Sequence, residues 1–125
     1  MSVFDSVPES SVLYRDELFY IIKDKYPVSP GHVIIISVKS RIDFFALDDE
    51  EKQHMAKVID LGKALIEKEY SPDGYNIGMN CGEAAGQTVM HFHCHLIPRY
   101  TGDMEDPRGG IRHCITRRGY YSADE

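Results

Sequence analysis

Three histidines, His91, His93 and His95, alternate with Phe92, Cys94 and Leu96, and no other feature restricts the fold of this chain as much. A period of two is that of a β-strand, so the three imidazoles should share one face, with Met90, Phe92, Cys94 and Leu96 on the other. The apolar face suits a core. A face that holds half of the six histidines suits a site instead. The rest of the chain must then build a sheet around this strand and cover its apolar side.

The flanking sequence can do so. Ser11 to Tyr14 and Leu18 to Ile22 read as strands, rich in β-branched and aromatic residues and joined by Arg15-Asp16-Glu17. Met1 to Ser10 reads as a loose lead-in. Asp24 to Pro30 carries Pro27 and Pro30 and should be an extended loop. His32 to Val38 is apolar on both faces and so central, with His32 at its mouth on the side of Ile34 and Ile36. Ser40 to Leu47 is ambiguous, with room for a short helical turn at Phe44 and Phe45.

From Asp48 the period changes. Asp48 and Glu51 form a capping-box pair, and Met55, Val58, Ile59, Gly62, Leu65 and Ile66 recur at helical steps, which predicts one amphipathic helix running to near Tyr70. After the turn at Ser71 to Gly74, Tyr75 to Cys81 alternates again. Asn76, Gly78 and Asn80 make one face too small and polar for a core, with room for a ligand. The tight glycine loop from Gly82 to Gly86 makes this strand a neighbour of the histidine strand and puts Asn80 within reach of the imidazoles. The expectation is an α+β domain over residues 1–125, with its core in about 11–100 and an irregular tail over 101–125. Its sheet should have five mainly antiparallel strands, with one long helix between the third and fourth and a short helix before it. Arg99, Arg108, Arg112, Arg117 and Arg118 make the tail the basic part of an acidic chain.

Composition narrows the function classes. A net charge of −6 argues against broad nucleic-acid binding, while leaving a small anionic ligand open. No basic, apolar leader precedes Ser10, and the longest apolar cluster, Val33 to Ile36, is too short for a bilayer. Cys81, Cys94 and Cys114 are odd in number and widely spaced, which predicts a reducing, cytoplasmic home.

Alternating imidazoles allow two chemistries. Neighbours on one strand face lie about 6.6 Å apart and the outer pair about 13 Å apart. Zinc holds nitrogen at about 2.0–2.1 Å, so three histidines on a flat strand cannot share one ion. A metal site would need a further ligand, for which His32 and Asp24 are loose candidates. Nucleophilic catalysis fits better, because a neutral imidazole attacks phosphorus well once its other nitrogen holds its proton against a carbonyl. His93, with a histidine on each side, is the natural nucleophile. The bland alternative, three histidines that only pack and satisfy hydrogen bonds, fits one histidine better than three in strict alternation.

His91-Phe92-His93-Cys94-His95-Leu96-Ile97 resembles the signature of the histidine triad superfamily, in which three histidines alternate with apolar residues. Gly86-Gln87-Thr88, Asn80 and Pro27-Val28-Ser29-Pro30-Gly31-His32-Val33 are similar to family segments in order and spacing, from about Leu18 to Tyr100. The resemblance implies a nucleotide-binding fold that pairs with a second copy as a homodimer. It implies that His93 attacks the α-phosphorus of a dinucleoside polyphosphate or related nucleoside 5′-phosphate, giving a nucleotidyl-histidine that water hydrolyses. His95 would then contact the phosphate and the leaving oxygen, and His91 would support the nucleophile through its carbonyl. Gln87, Thr88 and Asn80 would bind phosphate, Asp24 the ribose hydroxyls, and His32 would prop the triad from behind. Ile22 and Ile34 would wall the base. Histidine at position 95, where the transferases of the superfamily resemble this motif but carry glutamine, points to hydrolysis. No cofactor is implied, and magnesium enters only as an ion bound to the substrate. A purine nucleoside phosphoramidase and a non-catalytic nucleotide-binding module are the competing readings.

Overall fold

The computed structural model describes residues 3–121. Strands β1 (Val12–Arg15) and β2 (Phe19–Lys23) form a hairpin around Asp16, whose carboxylate accepts from the backbone N–H groups of Leu18 and Phe19. β3 (Val33–Ser37) follows the proline loop, α1 (Asp49–Glu67) crosses the sheet, and β4 (Gly74–Gly78) and β5 (His93–Arg99) complete it. Across the sheet the order is β1-β2-β3-β5-β4, with every neighbouring pair antiparallel. This is the α+β plan expected from the sequence, including a short 3-10 turn at Phe44–Ala46.

The alternation sorts the sheet into two faces. Phe19, Ile21, Val33, Ile35, Cys94 and Leu96 join Met55, Val58 and Ile66 of α1 in the main core. Burying side chains such as Ile35 and Leu96 stabilises the fold by roughly 1.5–3 kcal/mol each. The opposite face carries a smaller apolar cluster of Tyr20, Ile34 and Ile36, and beyond it the histidines. β3 is fully buried because it lies mid-sheet and is covered on both sides.

α1 begins where the sequence placed it. Asp48 accepts from the Glu51 N–H at 2.9 Å and Glu51 accepts from the Asp48 N–H at 2.8 Å, a complete capping box. It stops at Glu67, short of Tyr70, because the N–H groups of Glu69 and Tyr70 both turn back to the Ile66 carbonyl. Midway, Gly62 lets the helix lie directly on the histidine strand: a Cβ there would come within 2.9 Å of Leu96 Cδ2. Gly62→Val should therefore push α1 off β5 and lower stability by about 1–3 kcal/mol in a denaturant titration.

Two segments that looked shapeless are ordered. Residues Val3–Ser6 form a 3-10 turn whose Phe4 packs on the smaller apolar cluster, with the Tyr20 hydroxyl donating to the Phe4 carbonyl at 2.8 Å. The tail forms another 3-10 turn, Gly110–Cys114, that returns to the sheet against β4. The space beside Asn76 and Gly78 is accordingly taken. Arg99 donates to the Asn76 amide oxygen at 2.6 Å, and Ile111 Cδ1 would stand 3.6 Å from a Cβ on Gly78.

Candidate active site

β5 begins at His93, so His91 lies just before the strand rather than in it. The chain bends there because the Phe92 N–H leaves the ladder and donates to the Arg41 carbonyl at 2.6 Å. Arg41 is itself fixed, its Nε donating at 2.9 Å to the buried Glu51 of the helix cap. With Phe4 packed against its ring as against that of His93, His91 keeps the face that the alternation predicts. It is buried, and its Nε2–H donates to the Ser37 carbonyl at 2.8 Å.

That bend sets up His93. Its Nδ1 lies 2.9 Å from the His91 carbonyl, and a carbonyl only accepts, so Nδ1 must carry the proton. The neutral ring then presents a bare lone pair on Nε2. The half-buried His93 sits opposite Ile36 in the ladder, and the Phe4 ring meets it edge-on at 5.0 Å between centroids.

His95 is oriented through a longer chain of bonds. The Val28 backbone N–H donates to His32 Nδ1 at 3.2 Å, so the His32 proton is on Nε2. That Nε2–H faces His95 Nδ1 at 2.9 Å, with Asp24 Oδ2 3.4 Å away. His95 must therefore accept at Nδ1 and carry its own proton on Nε2. Side by side, with ring centroids 5.2 Å apart, His93 offers a lone pair and His95 offers a hydrogen. The proline loop that supplies Val28 is pinned to β5 by the Ser29 hydroxyl, which donates to the Pro98 carbonyl at 2.6 Å.

Asp24, His32 and His95 also bring three potential ligand atoms within 4.8 Å of one another, which raises the metal question again. The donor set fits poorly. A metal on His32 Nε2 would drive the proton to Nδ1, where it would meet the Val28 N–H head on. Histidine ligands ordinarily donate from the other nitrogen to an acceptor, the reverse of this arrangement. The trio is wired to hold protons.

Burial lowers the pKa of both His32 and His95; for His95 the neighbouring His93 and His32 add to the effect, and Asp24 opposes it in both cases. With folded pKa values below the usual 6.5 or so, the unfolded chain takes up protons first as the solution is acidified. Their contribution to stability is complete above that pH and is lost as pH falls below it. The melting temperature should fall between about pH 7.5 and 5.5, and His32→Gln should flatten the fall.

The phosphate-binding residues expected upstream divide. Gln87 is buried and fully engaged: its Oε1 accepts from the Gly82 N–H, and its Nε2 donates to the Ile42 and Val89 carbonyls. It shapes the loop that leads to His91, and no donor is left for a phosphate, which corrects the sequence expectation. Thr88, the next residue, is exposed. β4 ends at Gly78, the partner of His95, so Asn80 lies past the ladder, exposed and about level with His93. Asp24 is brought to the triad, its Oδ2 3.5 Å from His95 Nδ1. Neither Phe4 nor the Val28 N–H is legible in the sequence: Phe4 acts through contacts far along the chain, and a backbone donor leaves no side-chain pattern.

An antiparallel α+β sheet with a row of imidazoles on its open face, each oriented by a hydrogen bond, defines a class of histidine-site proteins. The histidine triad (HIT) domain family matches residues 6–102, and the chain belongs to that family. Among its relatives, AP-4-A phosphorylase of Mycobacterium tuberculosis is 29% identical over 106 residues, covering 80% of this chain and 54% of that protein. Bis(5′-adenosyl)-triphosphatase of Saccharomyces cerevisiae is 33% identical over 90 residues, covering 71% of this chain and 44% of that protein. The chain thus spans about half the length of these relatives. A hypothetical histidine triad nucleotide-binding protein from Sulfolobus tokodaii, solved by crystallography, superposes with a TM-score of 0.70 at 38% identity, covering 77% of this chain and 64% of that one.

Proposed function

We propose that this protein hydrolyses dinucleoside polyphosphates or related nucleoside 5′-phosphate derivatives at the α-phosphorus, through a covalent nucleotidyl-histidine. The observation that carries the reading is the pair of opposite tautomers, a bare Nε2 on His93 beside an Nε2–H on His95. His93 Nε2 forms a bond to phosphorus as the bond to the leaving group breaks. The leaving atom takes the Nε2 proton of His95, which stays neutral by taking a proton from solvent at Nδ1, beside Asp24 Oδ2 at 3.5 Å. Water then attacks phosphorus and gives its proton to the bare Nε2 of His95. The P–N bond breaks, His95 returns its extra Nδ1 proton to solvent, and a nucleoside monophosphate departs. The names of the two relatives support a dinucleoside polyphosphate as substrate.

In this reading Asp24 holds the ribose hydroxyls, Thr88 and Asn80 meet the phosphate from the loop side, and His91 and His32 orient the reacting imidazoles. Phe4 and Ile34, with Ile22 beside them, wall the base on the smaller apolar cluster. No resident metal is part of the scheme, and magnesium arrives only with a polyphosphate. A homodimer through the free edge of β4 is proposed with it, since β4 is outermost in the sheet and Ile77 is 44% exposed there. Light scattering should then give twice the 14.2 kDa chain mass. The free thiols of Cys81, Cys94 and Cys114 suit a reducing cytoplasm, and no helix among the described residues is long and apolar enough to cross a membrane.

The test is to mix the protein with a diadenosine polyphosphate or adenosine phosphoramidate and quench in base. Peptide mass analysis should find one nucleoside monophosphate on His93. Turnover without any trappable adduct would refute the covalent route. Nucleotide binding without turnover would favour the binding module. Running the reaction on adenosine phosphoramidate with inorganic phosphate present tells hydrolysis from phosphorolysis: water as acceptor yields AMP, phosphate yields ADP.

A further inference from the structure

We propose that the folded tail carries a second phosphate-binding subsite, formed by Arg112 and Arg118, that grips the outer phosphates of a polyphosphate leaving group. The idea rests on the proposed cleavage at His93, and it names what the far side of the substrate meets.

Placement is the first support. The tail turn lies on β4, with Ile111 against Gly78 and Gly110 against Asn76, and Gly78 is the ladder partner of His95. Gly78 and Asn76 share the histidine face of the sheet, so the tail turn reaches that face one strand away from His95.

Construction is the second. The Tyr120 hydroxyl donates to the Asp106 carbonyl at 2.7 Å, and His113 Nε2–H donates to the Arg108 carbonyl at 2.8 Å. Arg112 Nε donates to the Gly119 carbonyl at 3.1 Å while its guanidinium lies 4.7 Å over the Tyr121 ring. Gly119 packs so tightly on the His113 ring that no side chain fits there. A solvated, basic tail would need none of this bracing.

Charge is the third. Residues 104–121 hold four arginines against Glu105 and Asp106, in a chain whose net charge is −6. Asp106 is taken by Arg108 at 2.9 Å, and among the described residues Arg112, Arg117 and Arg118 have no carboxylate partner. Arg112, Ile115 and Arg118 line a shallow concavity of about 410 Å³. Guanidinium forks match phosphate oxygens bidentately, which favours a phosphate chain as occupant. Three arginines on an acidic protein are too few for nucleic acid.

Arg118→Gln tests this without touching the brace, because Arg118 enters it only through its carbonyl. The ratio of kcat/KM for diadenosine tetraphosphate to that for adenosine phosphoramidate should fall roughly ten- to a hundredfold, as for loss of a charge-assisted contact. Titration calorimetry with inorganic tripolyphosphate should show weaker binding to the variant than to wild type. An unchanged ratio, or an unchanged tripolyphosphate affinity, overturns the proposal while the His93 chemistry stands. Should His93→Ala turn over both substrates as wild type does, the reaction scheme falls, and tripolyphosphate binding alone decides the subsite.

Discussion

His93→Ala should lower kcat on diadenosine polyphosphate and on adenosine phosphoramidate alike, by about 10⁴-fold or more, as removal of a covalent nucleophile does elsewhere. The reason lies in how little else could attack. His91 is buried with its Nε2–H committed to the Ser37 carbonyl, and the His95 Nδ1 lone pair already accepts from His32. His95 Nε2 carries a proton. Of the three, His93 alone has a lone pair on an outward nitrogen, and its geometry depends on the bend at Phe92. Binding of adenosine monophosphate should survive, because Asp24 and the apolar face with Phe4 remain. A variant that binds but does not turn over separates the nucleophile from the pocket. A variant that keeps the wild-type rate on both substrates removes the covalent mechanism.

How far the sequence discloses this site depends on the range of the contact. Alternation is a local signal, and it located β5, the buried β3 and the two faces of the sheet. The capping pair Asp48 and Glu51 is equally local, and both of its bonds are present. His91 lies just outside the ladder because Arg41, fifty residues upstream, takes the Phe92 N–H, yet the alternation of faces holds: Phe4 packs on both His91 and His93, and Phe92 is in the main core. Gln87 looks like any loop donor until Gly82, Ile42 and Val89 are seen to use its amide. Gly78 suggests an open ligand floor until Ile111 of the tail covers it. The His32–His95 bond spans 63 residues, and its direction comes from a backbone N–H that no side-chain pattern encodes. The resemblance brought Asp24 and His32 into the site as residues. Only the fold shows which nitrogen holds which proton.

That proton order leads to the other large effect, at His95. His95→Gln keeps a side-chain amide that can hydrogen-bond a phosphate oxygen but has no proton to surrender. Loss of general-acid help typically lowers rates by about a hundred- to ten-thousandfold, and the loss should grade with the leaving group. An amine leaving from a phosphoramidate needs its proton most, and the full loss is expected there. A polyphosphate oxygen, already able to bear charge, should suffer less. p-Nitrophenolate from the ester of adenosine monophosphate needs no proton and should lose least. Measured as kcat across those three substrates, the variant should show a steep dependence on leaving-group basicity where the wild type shows a shallow one. Equal losses on all three would mean that His95 only positions the phosphate, and the chain of bonds from Val28 through His32 would then be an orienting device without a proton to deliver.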